Sequence, residues 1–288
     1  MSTIAVGVVL PSLTTQHQQG LDLRAAARHA EAVGLVSIWH GDHLAIGSPV
    51  LDVTVGLATV AAVTEKISIG ASVFVPALRP LALAAKQIAS LQHVSGGRLI
   101  LGIGSGGGPA QWAAVGASYA ERGPRTDQAL DLLPGLLSGE QVLIDGQQVA
   151  LEPAVPRPPF WIGNASAVAL RRAARAGDGW FPSLIPPTEV AAGAARLAEL
   201  ADTPRVIAVG ATGALGNPAS SQQEIEQSIR AKYGFSAAGV PITGYPREAA
   251  VRLAEFQQAG AHHLVMGFAE GDWRHQCDLL AEAVALLD

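Results

Sequence analysis

The sequence predicts a single (β/α)₈ barrel, a TIM barrel covering residues 1–288, and three observations carry that prediction. Eight short apolar or β-branched runs recur from one end of the chain to the other. Alanine-rich helical patterns lie between them. No Pro/Ser-rich linker or shift in composition divides the chain. Strands that are apolar on both faces belong to a parallel sheet covered by helices.

The expected strands are 4–10, 36–40, 67–75, 99–104, 160–163, 179–182, 205–210 and 262–267. The expected helices are 22–33, 53–64, 81–93, 126–137, 165–176, 188–201, 224–233, 247–259 and 273–287. Gly34, Gly177 and Gly260 each end a helical pattern just before a strand, where a left-handed cap costs a glycine least. Thr126 is the expected N-cap of the helix in "ERGPRTDQAL". One interruption, "QVLIDGQQVAL" at 141–151, carries Asp-Gly between two apolar runs and predicts a small hairpin inserted before the fifth strand.

Bulk properties narrow the function classes. A net charge of −5 without any block of like charges argues against a nucleic-acid or acidic-membrane surface. Cys277 is the only cysteine, so neither an intrachain disulfide nor a thiolate metal cluster can form, and no metal site is expected. "MSTIAVGVVLPSL" has no basic segment ahead of its apolar run, so it is expected to be the first strand rather than a leader. Apolar stretches such as 53–63 are too short to cross a bilayer. The expectation is a cytoplasmic protein acting on a small molecule, with no membrane or nucleic-acid partner.

"RLILGIGSGGGPAQW", Arg98 to Trp112, satisfies G-x-G-x-x-G through Gly102, Gly104 and Gly107. A dinucleotide fingerprint needs a helix and then a second strand ending in Asp or Glu. Here a loop and one helix follow, and the motif sits at the fourth strand, so the fingerprint is rejected. In a barrel these glycines follow the carboxyl end of a strand, on the face where barrel enzymes build their sites. They either let the backbone approach a flat ligand or a phosphate, or form a flexible loop without a role.

Two other strand ends carry chemistry. After the second strand, "WHGDHL" brings Asp42, an acceptor when ionised, beside His43, which moves protons near neutral pH. That pair suits acid–base work, though two surface polar residues would look the same. After the fifth strand, "GNAS" (Gly163, Asn164, Ala165, Ser166) enters a helix that Asn164 or Ser166 can cap, leaving amides for an anion. A plain N-cap is the simpler alternative. His262 and His263 point to opposite faces of one strand and cannot share a metal.

The segments "RPLALAAKQIASLQHVSGGRLILGIGSG", "ERGPRTDQALDLL", "PPFWIGNASAVALRRAARAGDGWFPS" and "REAAVRLAEFQQAGAHHLVMGF" together resemble the bacterial-luciferase-like flavin oxidoreductases, over nearly the whole chain. That resemblance implies the same barrel, with coenzyme F420 (a deazaflavin) or FMN bound at the carboxyl ends of the strands. It implies His43 as proton donor or acceptor, with Asp42 positioning the cofactor or tuning His43. It implies a cis peptide between Ser72 and Val73, and Gly104, Ser105 and Gly106 running along the cofactor. Its phosphate would lie at Gly163, Asn164, Ala165 and Ser166, and the protein would be a homodimer. The sugar-phosphate dehydrogenases of the deazaflavin branch carry a Glu proton donor where this chain has Gly107, which argues against glucose-6-phosphate oxidation.

The expected function is therefore hydride transfer with F420 to or from a small organic substrate. That substrate is expected to be largely apolar, since the loops after Gly108 and Ser183 and the segment 217–245 hold few polar landmarks. An FMN-dependent monooxygenase and a non-catalytic flavin- or deazaflavin-binding protein are the alternatives.

Overall fold

The computed structural model describes residues 3–44, 46–216, 222–234 and 237–287, the side chains of Lys232 and Tyr233 excepted. Its frame is a ring of parallel strands. β1 (Ala5–Val9), β2 (Ser37–His40), β3 (Ser68–Phe74), β4 (Leu99–Ile103), β7 (Phe160–Gly163), β8 (Gly179–Phe181), β9 (Val206–Leu215) and β11 (His263–Phe268) pair in that order. β11 returns to β1, with Ala5 opposite His263, and closes the eight-stranded barrel. The antiparallel hairpin β5 (Val142–Ile144) and β6 (Gln147–Val149) stands apart. Its turn puts Asp145 at φ 48° and Gly146 at φ 79°, the twist that Asp-Gly adopts at least cost.

Helices cover the ring: α2 (Leu23–Ala32), α3 (Val53–Ala61), α4 (Leu81–Val94), α6 (Arg122–Ser138), α7 (Ala167–Ala176), α8 (Pro187–Leu200), α9 (Gln222–Tyr233), α10 (Pro246–Gln258) and α11 (Trp273–Ala285). Their starts follow capping chemistry. Asp22, Asp52, Ser166 and Asp272 each accept a first-turn amide.

Inside the ring a separate aromatic cluster fills the lumen. Trp39 stacks on Trp161 with ring centroids 5.4 Å apart and lies 5.0 Å from Phe181. The Trp39 indole N–H donates to Ser37 Oγ at 2.7 Å, and Ser37 Oγ lies 2.7 Å from His263 Nε2. These rings fit because the facing strand positions are glycine. A Cβ on Gly70 would sit 2.2 Å from the Trp39 ring, and one on Gly7 would sit 1.9 Å from Ser37 Oγ.

Several expectations need correction. Helix α6 begins at Arg122, and Thr126 lies inside it, its hydroxyl donating to the Arg122 carbonyl at 2.7 Å. Pro124 is tolerated there because first-turn amides have no partner to lose. Gly34 and Gly260 do adopt positive φ, but Gly177 is extended at φ −95°. Gly177 is small for another reason: a Cβ would sit 2.9 Å from Ile162 Cγ1. Three short elements carry no readable period and were not expected: α1 (Leu13–Gln19), α5 (Pro109–Ala114) and β10 (Ile242–Gly244). β9 runs five residues past the expected end at 210, and β10 pairs with that extension outside the ring. Of the segment 217–245, residues 217–221 and 235–236 lie outside the described residues.

Candidate functional site

The site is built where β2 and β3 end. Asp42 follows β2, and its carboxylate is 5% exposed. Oδ2 accepts the Arg79 NH1 donor at 2.7 Å and the Val75 amide at 2.9 Å, while Oδ1 accepts Arg79 NH2 at 2.9 Å. Arg79 also lies over the Phe74 ring, 4.4 Å from its centroid. Asp42 thus ties the end of β2 to the turn after β3, and it does not line the neighbouring cavity. Arg79 was not singled out from the sequence. It lies 37 residues from Asp42, and no local spacing links the two.

The Ser72–Val73 peptide is cis, at the position the resemblance gives it. Val73 explains much of the glycine run. A Cβ on Gly104 would sit 2.3 Å from Val73 Cγ2, and one on Gly163 would sit 2.8 Å from Val73 Cγ1. A Cβ on Gly102 would sit 2.2 Å from the Ala71 carbonyl oxygen. Three glycines, in or just after two strands, are therefore required by packing around one side chain and one carbonyl. Gly106 and Gly108 need glycine for their backbone, at φ 68° and 71°, while space beside Gly107 and Gly108 is open.

Two side chains fasten the glycine loop to its neighbours. Gln111, buried on α5, donates to the Gly107 carbonyl at 2.6 Å and accepts the Leu44 amide at 3.1 Å. It joins the loop to the residue after His43. Arg172 on α7 donates to Ser105 Oγ at 3.0 Å while its guanidinium pairs with Asp127 at 2.7 and 2.9 Å. That guanidinium holds the Asp127 carboxyl below the usual carboxylate range. At the start of α7, Ser166 Oγ accepts the Ala169 amide and Asn164 Oδ1 accepts the Ser166 amide. Asn164 adopts φ 86°, and its carbonyl accepts the Trp180 indole N–H at 2.8 Å. Asn164, Ala165 and Ser166 are exposed, as are Ala167 and Val168, whose amides open the helix toward solvent. The candidates on β2, β3, β4 and β7 form one arc around half of the barrel mouth.

The other half holds a cavity of about 900 Å³, bounded by the segments after β1, β2 and β11, by Ala211 and Thr212 of β9 and by one face of α9. His40, Gly41 and His43 belong to its wall. The His43 ring folds back over Gly41, where a Cβ would lie 2.8 Å from His43 Nε2 and 3.5 Å from the Ser72 carbonyl oxygen. His43 therefore stands where the arc meets the cavity. His40 lies deeper; burial lowers its pKa below the ordinary imidazole value, against a hydrogen bond of 3.2 Å from Nε2 to the Leu51 carbonyl. The wall differs from the apolar pocket expected. Ser12, Thr14, Gln16, Gln19, Glu224 and Glu270 all line it, and the loop after Gly108 does not. Leu184, after β8, does. Among the described residues, no group of three His, Cys, Asp or Glu side chains converges on a metal position, and no helix is long and apolar enough to cross a membrane.

Comparison with known proteins gives this geometry a family. An F420-dependent glucose-6-phosphate dehydrogenase of Kineococcus radiotolerans is 34% identical over 169 residues, covering 54% of this chain and 50% of that protein. The chain's matches span about half the length of the curated relatives. Among solved structures, an F420-dependent secondary alcohol dehydrogenase in complex with an F420–acetone adduct superposes with a TM-score of 0.81 at 16% identity, covering 100% of both chains. The oxygenating constituent of 3,6-diketocamphane monooxygenase from Pseudomonas putida, in complex with FMN, superposes with a TM-score of 0.76 at 15% identity, covering 99% of both. At those identities the structural likeness speaks for the fold. The family model described as luciferase-like monooxygenase matches residues 4–264. The chain belongs to the luciferase-like monooxygenase family, oxidoreductases whose members depend on F420 or on FMN.

Proposed function

We propose that the protein is an F420-dependent oxidoreductase in which the arc seats the cofactor and the cavity seats an organic substrate. The observation that carries this reading is the position of His43 on the border between the two. The residues of the arc suit a flat, phosphorylated cofactor. Val73 presents an apolar surface backed by Gly102, Gly104 and Gly163, while Gly107 and Gly108 leave their surroundings open. The first amides of α7, with Asn164 and Ser166 shaping the turn, favour a phosphate through the helix dipole.

When bound, the deazaflavin supplies hydride exchange at its C5. The protein orients, excludes water and handles one proton. His43 exchanges that proton with the substrate from the cavity wall. Asp42 acts as a positioning residue: with Arg79 it fixes the turn at Val75 and so the ends of β2 and β3. Gln111 and Arg172 hold the glycine loop in register with the His43 segment and with α7. Gly107 offers no proton, which speaks against glucose 6-phosphate as substrate and leaves the acid to another residue, a role that His43 fits.

The test is a fluorescence titration of the apoprotein with F420 and with FMN. Micromolar or tighter binding of F420 alone supports this reading. Preference for FMN moves the protein to the monooxygenase branch, with oxygen uptake as the next assay. Binding to neither overturns both.

A further inference from the structure

We infer that Gly267 is a specificity-determining residue, holding open a recess at the floor of the cavity that admits a compact, unbranched group of the substrate. The inference rests on the assignment of this cavity to the substrate. Glycine inside a strand costs chain entropy and adds no packing, so its presence needs a cause. Elsewhere in the ring that cause is crowding. At the other glycines of the ring strands a Cβ would sit between 1.8 Å (Gly213) and 2.8 Å (Gly163 and Gly179) from a neighbouring atom. At Gly267 the nearest atoms are the Ala211 carbonyl oxygen at 3.6 Å and Val9 Cγ2 at 3.8 Å, which are ordinary contact distances. The backbone does not ask for glycine either, since Gly267 lies outside the left-handed region.

What lies beside Gly267 is the cavity, whose wall it shares with Val9 and Thr212. Along β11, Val265 packs in the aromatic cluster of the lumen and Met266 in the outer core. Strand alternation therefore turns position 267 back toward the lumen, one layer nearer the mouth than Val265. Val9 packs against the same cluster from β1, and Thr212 stands opposite Gly267 in the β9–β11 register. A group arriving from the mouth meets its floor at these residues, directly over the aromatic cluster. A side chain at 267 would occupy the recess with no cost to the fold, and a substrate group could no longer share it. Discrimination of this kind needs no contact made for the right substrate, since steric conflict with the wrong one suffices.

Two measurements read the recess without cofactor or substrate. Gly267→Ala is expected to unfold at a urea midpoint equal to or above that of the parent, since alanine fits there and restricts the unfolded chain. Gly70→Ala, whose Cβ would meet the Trp39 ring, is the contrast and should unfold earlier. A midpoint for Gly267→Ala that falls below the parent makes the glycine a packing residue and overturns the inference. Gly267→Cys carries the only reactive thiol, because Cys277 is fully buried and burial pushes its thiol pKa up. The variant is reacted with methyl, propyl and benzyl methanethiosulfonate, each rate being divided by that for free cysteine. The relative rate is expected to fall by about tenfold or more from the methyl to the benzyl reagent, as access narrows. A methyl reagent that fails to react, or one relative rate for all three, overturns the inference. In the F420-loaded enzyme, Gly267→Val should lower kcat/KM more for the larger of two homologous substrates, by about 10–200-fold per added methylene. Equal losses for both overturn it too. The midpoints and the thiol series are independent of the cofactor titration, so failure of this inference and failure of the F420 reading are told apart.

Discussion

Asp42 and Arg79 form a two-pronged ion pair, at 2.7 and 2.9 Å, in which the carboxylate is 5% and the guanidinium side chain 15% exposed. The third acceptor position on the same carboxylate is taken by the Val75 amide. A buried charge whose partner is removed costs far more than the pair contributes. Arg79→Met is therefore expected to destabilise the fold by about 3–5 kcal/mol, read as a lower urea midpoint at unchanged slope. Stability within about 0.5 kcal/mol of the parent would show that the pair is a surface contact.

The packing of Val73 against Gly104 makes a rescue experiment available. Gly104→Ala puts a methyl 2.3 Å from Val73 Cγ2 but 3.4 Å from Val73 Cβ. The single variant is expected to lose about 1–3 kcal/mol through overpacking. Val73→Ala removes the clashing atoms, so the double variant should regain part of that loss. A double-mutant cycle in denaturant measures it, and strict additivity would refute the contact.

His43 gives the kinetic prediction. Under the proposed function, His43→Ala lowers turnover by about 10²–10⁴-fold, the usual weight of one proton-transfer group. Cofactor affinity should stay within about twofold, because the arc is untouched. Equal loss of binding and turnover would make His43 a structural residue, and unchanged turnover would move the proton elsewhere.

His263 sets a pH dependence of stability. Burial beneath Trp39 and Trp161 lowers its pKa from 6.5 to about 4 in the folded chain. The unfolded chain then binds one more proton between those values, so the contribution is complete above pH 6.5 and is lost as pH falls toward 4. The total is on the order of 3 kcal/mol. The difference in unfolding free energy between parent and His263→Gln, followed from pH 7.5 to 4.5, should shrink on acidification. A difference independent of pH would refute the assignment.

Much of the barrel was legible in the sequence because its strands are short apolar runs between glycine and capping residues. The eight ring strands lie where those runs are, within a residue or two except for β9. What was not legible was short or distant. α1, α5 and β10 each offer fewer than eight residues, too few for a period to emerge. The Asp42–Arg79 and Ser105–Arg172 bonds join residues 37 and 67 positions apart, and only the folded ring brings them together. The polar cavity was missed for a related reason. Its hydroxyls and amides come from α1 and its N-cap Ser12, which no sequence pattern marks, and its carboxylates come from Glu270, which was not singled out, and from Glu224, inside the segment 217–245 that was expected to line the pocket but with few polar landmarks. The glycines of 102–108 were correctly placed at the mouth, but several answer to Val73 rather than to a ligand.

The aromatic cluster of Trp39, Trp161 and Phe181 has a consequence for traffic. It occupies the middle of the ring, so molecules cannot pass through the barrel from its far end. Whatever enters the arc and whatever enters the cavity share one doorway. The plug thereby makes the carboxyl ends of the strands the one end of the ring from which either half of the mouth is reached.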